Sequence, residues 1–312
     1  MHMLSVLTEP NYPKAAIGLE KDSVTALALQ KEGRGSFGIK QAATIELPSN
    51  LLNPSFLEKN ITNPSELRVF LEEAVVTSGL MNQKLWSVSL PSNTARSAIL
   101  TLDSGAVKTE SEEILDWKAE QSFGAPAAEL RITRQKIAPD KEGKTRYFAT
   151  AVKLSIIDEY ETIFENLGWK TGLILPRAVS ETRWLVDNSA DTDSMLISSQ
   201  NDGFTALLLR RGEPAVVRSV TCTVSERDDE IYRLLMFYND RFADDRSGNF
   251  LDKLLVVGKD MVAAKIKEIS AEALGTALRI LRPEEVGLNI PASSLNFDDI
   301  AAPAGLAAYG YR

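Results

Sequence analysis

The side chains best placed to do chemistry sit in a short polar stretch near the start of the chain, Glu20-Lys21-Asp22-Ser23. Two carboxylates, an amine and a hydroxyl in four residues can grip a metal ion or a phosphate if a turn aims them at one point. The same residues also make an ordinary solvated hairpin turn, and both readings stand at this stage. A second polar stretch, Ser198-Ser199-Gln200-Asn201, offers hydroxyls and amides with Gly203 behind it, and Gly258 follows a continuous apolar run. Elsewhere catalytic side chains are scarce. Cys222 is the one cysteine and His2 the one histidine. An internal disulfide is therefore impossible, and a Ser-His-Asp triad or a His-rich metal site is disfavoured.

The elements that would position these residues can be read from periodicity. Ala15, Ile17 and Leu19 alternate on one strand and Val24, Ala26 and Ala28 on the next, with Glu20–Ser23 as the turn between them. Ser36 to Leu47 continues as a third strand. Asn63-Pro64-Ser65-Glu66 opens a helix with Asn as cap and Pro at the first helical position; Leu67, Leu71, Ala74 and Val75 form its buried face. Trp86 to Leu90 and Thr94 to Leu102 read as strands, then Glu110 to Phe123 as a helix. Glu129–Ile137 and Arg146–Lys153 are strands. Ser155 is expected to cap a helix closed by Gly168, and a strand from Trp169 to Leu175 leads into a helix from Ala178 to Val186.

After a polar linker at 187–193 the opening theme returns. Ser194–Ile197, Phe204–Arg210 and Pro214–Val220 repeat the order strand, polar turn, strand, tight turn, strand, which is the trace of two related domains. A helix over Asp228–Phe242, a strand over Leu251–Val257, a helix over Asp260–Leu274, a strand over Thr276–Leu281 and a last helix over Pro303–Tyr309 complete the chain. The sequence thus predicts a mixed α/β architecture in two domains, 1–190 and 191–312, with a strand-helix-strand subdomain inserted at about 86–168. Trp86, Trp117, Trp169 and Trp184 are expected in the core, and Glu112, Glu113, Asp116 and Glu120 on a solvated helix face.

Composition narrows the function classes. The 312 residues carry a net charge of -8, with 44% hydrophobic and 25% charged residues, ordinary for a globular protein. The pI of about 5.0 and the absence of a basic run argue against nucleic acid, whose phosphates need clustered Lys and Arg. No stretch approaches the ~18 apolar residues of a membrane span, and the N-terminal residues lack a signal peptide's pattern. A cytoplasmic protein is expected.

Several stretches together resemble the PilM family of type IV pilus assembly proteins, which have an actin-like (ribonuclease H-like) fold. AIGLEKDSVTALAL stands where that family has its first phosphate hairpin, and MLISSQNDGFTALLLRRGEPAVVRSV where it has its second. LWSVSLPSNTARSAILTL, EEILDWKAEQSFGAPAAEL, and ATAVKLSIIDEYETIFENLGWKTGLILPRAVSETRWL are similar to its inserted subdomain and flanks. LVVGKDM stands at the adenine-side loop and AAPAGLAAYG at the terminal helix. The resemblance implies nucleotide-loop positions at Glu20, Lys21, Asp22, Ser23, Ser198, Ser199, Gln200, Asn201, Gly203 and Gly258.

Those loops depart from the family pattern. Glu20 stands at the first Asp, no glycine follows it, Ser198 replaces the second Asp, and Lys259-Asp260 replace further glycines. The family's small helical subdomain after the second hairpin also looks reduced or missing. The expectation is a scaffold without catalytic residues, metal or bound nucleotide. It would dock the short cytoplasmic peptide of a PilN-like membrane-anchored partner, and so lie peripheral to the inner membrane, with self-association left open. The alternatives are a working ATPase or small-molecule kinase that uses ATP with Mg2+, and a component like GspL of type II secretion.

Overall fold

A computed structural model describes residues 12–103, 108–186, 192–242, 250–291 and 295–311. The chain begins with β1 (Ala15–Leu19), β2 (Ser23–Gly33), β3 (Ser36–Glu46), α1 (Pro64–Thr77) and β4 (Leu85–Leu90). Then come β5 (Arg96–Leu102), α2 (Lys108–Phe123), β6 (Leu130–Ile137), β7 (Thr145–Lys153), α3 (Leu154–Asn166) and β8 (Lys170–Pro176). Two short helices follow, α4 (Arg177–Glu181) and α5 (Arg183–Val186). The second half holds β9 (Asp193–Gln200), β10 (Gly203–Arg210), β11 (Glu213–Thr221), α6 (Arg227–Phe242), β12 (Leu251–Val257), α7 (Ala263–Leu274), β13 (Arg279–Ile280), β14 (Leu288–Asn289) and α8 (Phe297–Tyr309). Among the described residues no helix is long and apolar enough to cross a membrane.

The duplication read from the sequence is real at the level of topology. One sheet runs β14-β3-β2-β1-β4-β8 and the other β11-β10-β9-β12-β13. In each, three antiparallel strands joined by short turns are followed by two strands added in parallel. Parallel neighbours need a crossover connection, and α1 supplies one between β3 and β4 as α6 does between β11 and β12. Asn63 caps α1 as expected, its Oδ1 accepting from Glu66 N–H at 3.3 Å. The outer face of the first sheet buries Ile17, Leu19, Val24 and Trp86 against Leu67 and Leu71 of α1 and Tyr160 and Phe164 of α3. The second sheet packs Ile197, Phe204 and Leu254 on Ile231, Leu235 and Ile266 of α6 and α7.

Between the two sheets lies a shared apolar core. Ala16, Leu27 and Leu29 of the first sheet and Leu196, Leu207 and Val257 of the second meet around Ala178, Trp184, Ile300, Ala301 and Ala304. Here α8 approaches β1 so closely that a Cβ on Gly18 would lie 2.9 Å from Pro303 Cγ. Only glycine leaves room for the proline ring.

Several expectations need correction. The separate three-stranded sheet, β5-β7-β6, spans Arg96 to Lys153, so the insert is smaller than 86–168. Trp86 and Val88 of β4 and Ile156 and Tyr160 of α3 belong to the first sheet's core. Residues 191–312 are not one unit either, because β14 pairs with β3 and α8 packs between the sheets. The last helix starts at Phe297 and carries Pro303 in its interior. Leu154, not Ser155, begins α3. The predicted helix 178–186 breaks at Thr182, whose hydroxyl donates to Val179 C=O at 2.6 Å. The expected strand 276–281 shrinks to two residues, Arg279–Ile280. Trp117 is 58% exposed on α2 rather than buried; Leu115, Ala119 and Phe123 form the packed face instead. The linker at 187–193 falls mostly outside the described residues.

Candidate functional site

Both hairpin turns and the loop after β12 open onto one cleft, of about 250 Å3. The β1–β2 turn is closed by Glu20 N–H donating to Ser23 C=O at 2.9 Å. The β9–β10 turn is tighter, with Gln200 paired to Gly203 across two residues. Of the positions implied by the resemblance, Glu20, Asp22, Ser23, Ser199, Gln200, Asn201 and Gly258 line the cleft. Lys21 is an exposed turn tip outside it. Ser198 is fully buried beside Glu181. Gly203, at φ 147°, packs under Val220 C=O at the head of β10, a place no other residue fits.

The electrostatics are set by residues the sequence reading did not single out. Arg177 on α4 reaches Glu20 Oε2 with Nη1 at 3.2 Å, Glu181 Oε1 with Nε at 2.8 Å, and the C=O of Asp298 with Nη2 at 3.1 Å. One guanidinium thus serves two carboxylates in a buried place. Burial raises Glu20 to about 7 against the pull of Arg177, with Glu181 adding to the rise. Burial likewise pushes Glu181 upward. Burial alone would lower Arg177, but Glu20 and Glu181 outweigh it and hold the guanidinium firmly charged.

On the opposite wall Asp260 accepts from Ser199 Oγ at 2.6 Å and pairs with Arg227 of α6. Burial works to raise Asp260, yet the hydroxyl and the guanidinium prevail and keep it below the usual carboxylate range. Lys259 Nζ meets Asp299 Oδ1 at 2.7 Å, and this contact raises its pKa. Asp298 Oδ1 accepts from Gly258 N–H at 2.7 Å. Asp298 and Asp299 occupy the first turn of α8, where carboxylates suit the positive end of the helix dipole. Asn296 caps that helix, its Oδ1 accepting from Asp298 N–H at 3.2 Å.

The charged groups of the cleft are largely engaged with one another. Glu20, Asp22, Asp260, Asp298 and Asp299 line the cleft against Arg177 and Lys259, and both cations are paired. The Gly258 N–H, a backbone donor of the kind that can approach a bound phosphate or base, is taken by Asp298. A Cβ on Gly258 would lie 2.2 Å from Ser199 Cβ, so this glycine serves packing across the cleft floor. Among the described residues no group of three or more His, Cys, Asp or Glu side chains converges as a metal set.

No protein-family model matches this chain, and no curated protein matches it. Solved structures do. A chain of a PilM–PilN type IV pilus biogenesis complex aligns with 97% of this chain and 100% of its own length, at a TM-score of 0.73 and 14% identity. A Bacteroides thetaiotaomicron protein of actin-like ATPase fold and unknown function aligns with 96% of this chain and 98% of its own, at 0.46 and 13%. The cytoplasmic domain of EpsL, an inner membrane component of the Vibrio cholerae type II secretion system, aligns with 95% of this chain and 93% of its own, at 0.47 and 10%. At such identities the likeness shows the fold. The chain has a PilM-like, actin-like fold, as the sequence resemblance implied.

Proposed function

We propose that this protein is a non-catalytic scaffold of a type IV pilus or related secretion assembly. In this reading it binds the N-terminal cytoplasmic peptide of a membrane-anchored partner and thereby sits at the inner membrane's cytoplasmic face. The observation that carries the reading is the end-to-end match to a chain of a pilus biogenesis complex, with no large part of either chain left over. The non-catalytic part rests on the cleft's chemistry. Five carboxylates line the cleft and repel a polyphosphate, and cations already held by Glu20, Glu181 and Asp299 supply little compensation. Catalysis of phosphoryl transfer is mainly positioning and charge stabilisation, and the two cations that line this cleft are already engaged by carboxylates.

The test is a fluorescence-anisotropy titration with the labelled N-terminal peptide of a single-span protein encoded beside this one, with and without Mg-ATP. The expected result is saturable binding with the same affinity in both conditions. Absence of binding to every such neighbour would remove the scaffold reading, and affinity that depends on Mg-ATP would remove its nucleotide-independent form.

A further inference from the structure

The polar groups around the cleft do more than fill it. Three of their contacts tie separate elements together: one joins loops of the two sheets, and two tie the loop after β12 to α8, the helix packed between the sheets. Asp298 Oδ1, on α8, accepts from the N–H of Gly258 after β12 at 2.7 Å. Lys259, next in that loop, bonds Asp299 of α8 at 2.7 Å, and Asp22 of the first hairpin and Asp298 add their charge. On the facing side Asn93, just after β4, donates from Nδ2 to Asp202 Oδ1 in the second hairpin at 2.6 Å. Deeper in, the shared apolar core joins the sheets through α4, α5 and α8. The core is a close-packed pivot that resists sliding. At the mouth the three polar contacts above add to that core.

We propose that Asn93, Lys259, Asp298 and Asp299 form an internal latch that keeps the two sheets closed over the cleft without any ligand, the carboxylate of Asp298 occupying the Gly258 N–H. The proposal rests on the reading of the cleft as nucleotide-free. It goes further by naming the groups that set the closed state and by making that state depend on charge pairing across the mouth. Charged contacts at partly exposed positions are screened by salt, so the latch weakens as ionic strength rises.

The test places spin labels at Lys59→Cys and Lys267→Cys in a Cys222→Ser background and measures the distance distribution by pulsed electron resonance. Both label positions are exposed and lie outside the latch. The unmodified latch should give one narrow distribution that Mg-ATP leaves unchanged. Asp298→Ala with Asp299→Ala should broaden it at least twofold towards longer distances, and so should Lys259→Glu, which sets a fourth carboxylate against three. The swap Lys259→Asp with Asp299→Lys should restore the narrow distribution. If the alanine pair fails to fold, the charge reversal and its rescue, together with a salt titration of the parent protein, decide the matter. Distributions that stay narrow in Lys259→Glu and in high salt would overturn the latch. A parent distribution that shifts on adding Mg-ATP would instead overturn the nucleotide-free reading, so the two failures are distinguishable.

Discussion

Replacing Glu20 by glutamine should stabilise this protein at alkaline pH and do nothing at acid pH. The reason is the sharing of Arg177 between Glu20 and Glu181 in a buried place, which sets two negative charges against one positive. Burial holds Glu20 near pH 7 in the folded chain, against about 4.5 for a free carboxyl. Below pH 4.5 both folded and unfolded chains carry the proton. Between 4.5 and 7 only the folded chain binds it, so stability falls as pH rises through that window. At ~1.4 kcal/mol per pH unit the ceiling is about 3 kcal/mol. The Glu20 side chain keeps 22% of its surface in solvent, and screening there reduces the expected loss to about 2 kcal/mol. Urea unfolding of the parent and of Glu20→Gln at pH 3.5 and pH 8 reads this directly. The variant should equal the parent at pH 3.5, below the window, and exceed it by about 2 kcal/mol at pH 8. A variant that is less stable at pH 8, or that keeps the parent's full pH slope, would show that the attraction of Arg177 outweighs burial.

Other substitutions probe the frame that positions the cleft. Trp86→Ala removes a fully buried ring that lies 5.6 Å from Trp169. It should cost about 3–5 kcal/mol in chemical unfolding, while Trp117→Ala on the exposed face of α2 should stay within about 0.5 kcal/mol. Gly18→Val drives a branched side chain into Pro303 and should cost about 1–3 kcal/mol or more; a parent-like melting temperature would contradict the close packing of α8 on β1. Asn63→Ala removes the cap of α1 and should cost about 1 kcal/mol in the same assay.

The parts of the fold that could be read in the chain are those with a local signature. The two hairpins stand out because period-two alternation meets polar turns twice in the same order, and Asn63-Pro64 marks a helix start by its own chemistry. What escaped the sequence is nonlocal or lacks contrast. Helix α8 is buried nearly all round, so its Ala-rich stretch shows no amphipathic period, and Pro303 looks like a first residue rather than an interior one. Strands β13 and β14 are two residues each, too short for any pattern. Trp117 is two residues from both Leu115 and Ala119, about 200° round the helix from that row, and its large apolar ring alone suggests a core place that the row's periodicity does not support. The site shows the same division. Seven of the ten positions implied by the resemblance, Glu20, Asp22, Ser23, Ser199, Gln200, Asn201 and Gly258, do line one cleft. The groups that set its charge, Arg177, Glu181, Asp298 and Asp299, come from helices far away in the chain. Only the last pair carried a usable signal. Asn296 followed by Asp298-Asp299 is a capped, acidic helix start, and it would have moved the α8 boundary and brought both carboxylates into view.

Isothermal titration of Mg-ATP into the purified protein tests the central claim, that this actin-like fold holds its cleft with its own charges and works without nucleotide. The account predicts no saturable heat up to millimolar Mg-ATP. Saturable binding in the micromolar range would contradict it.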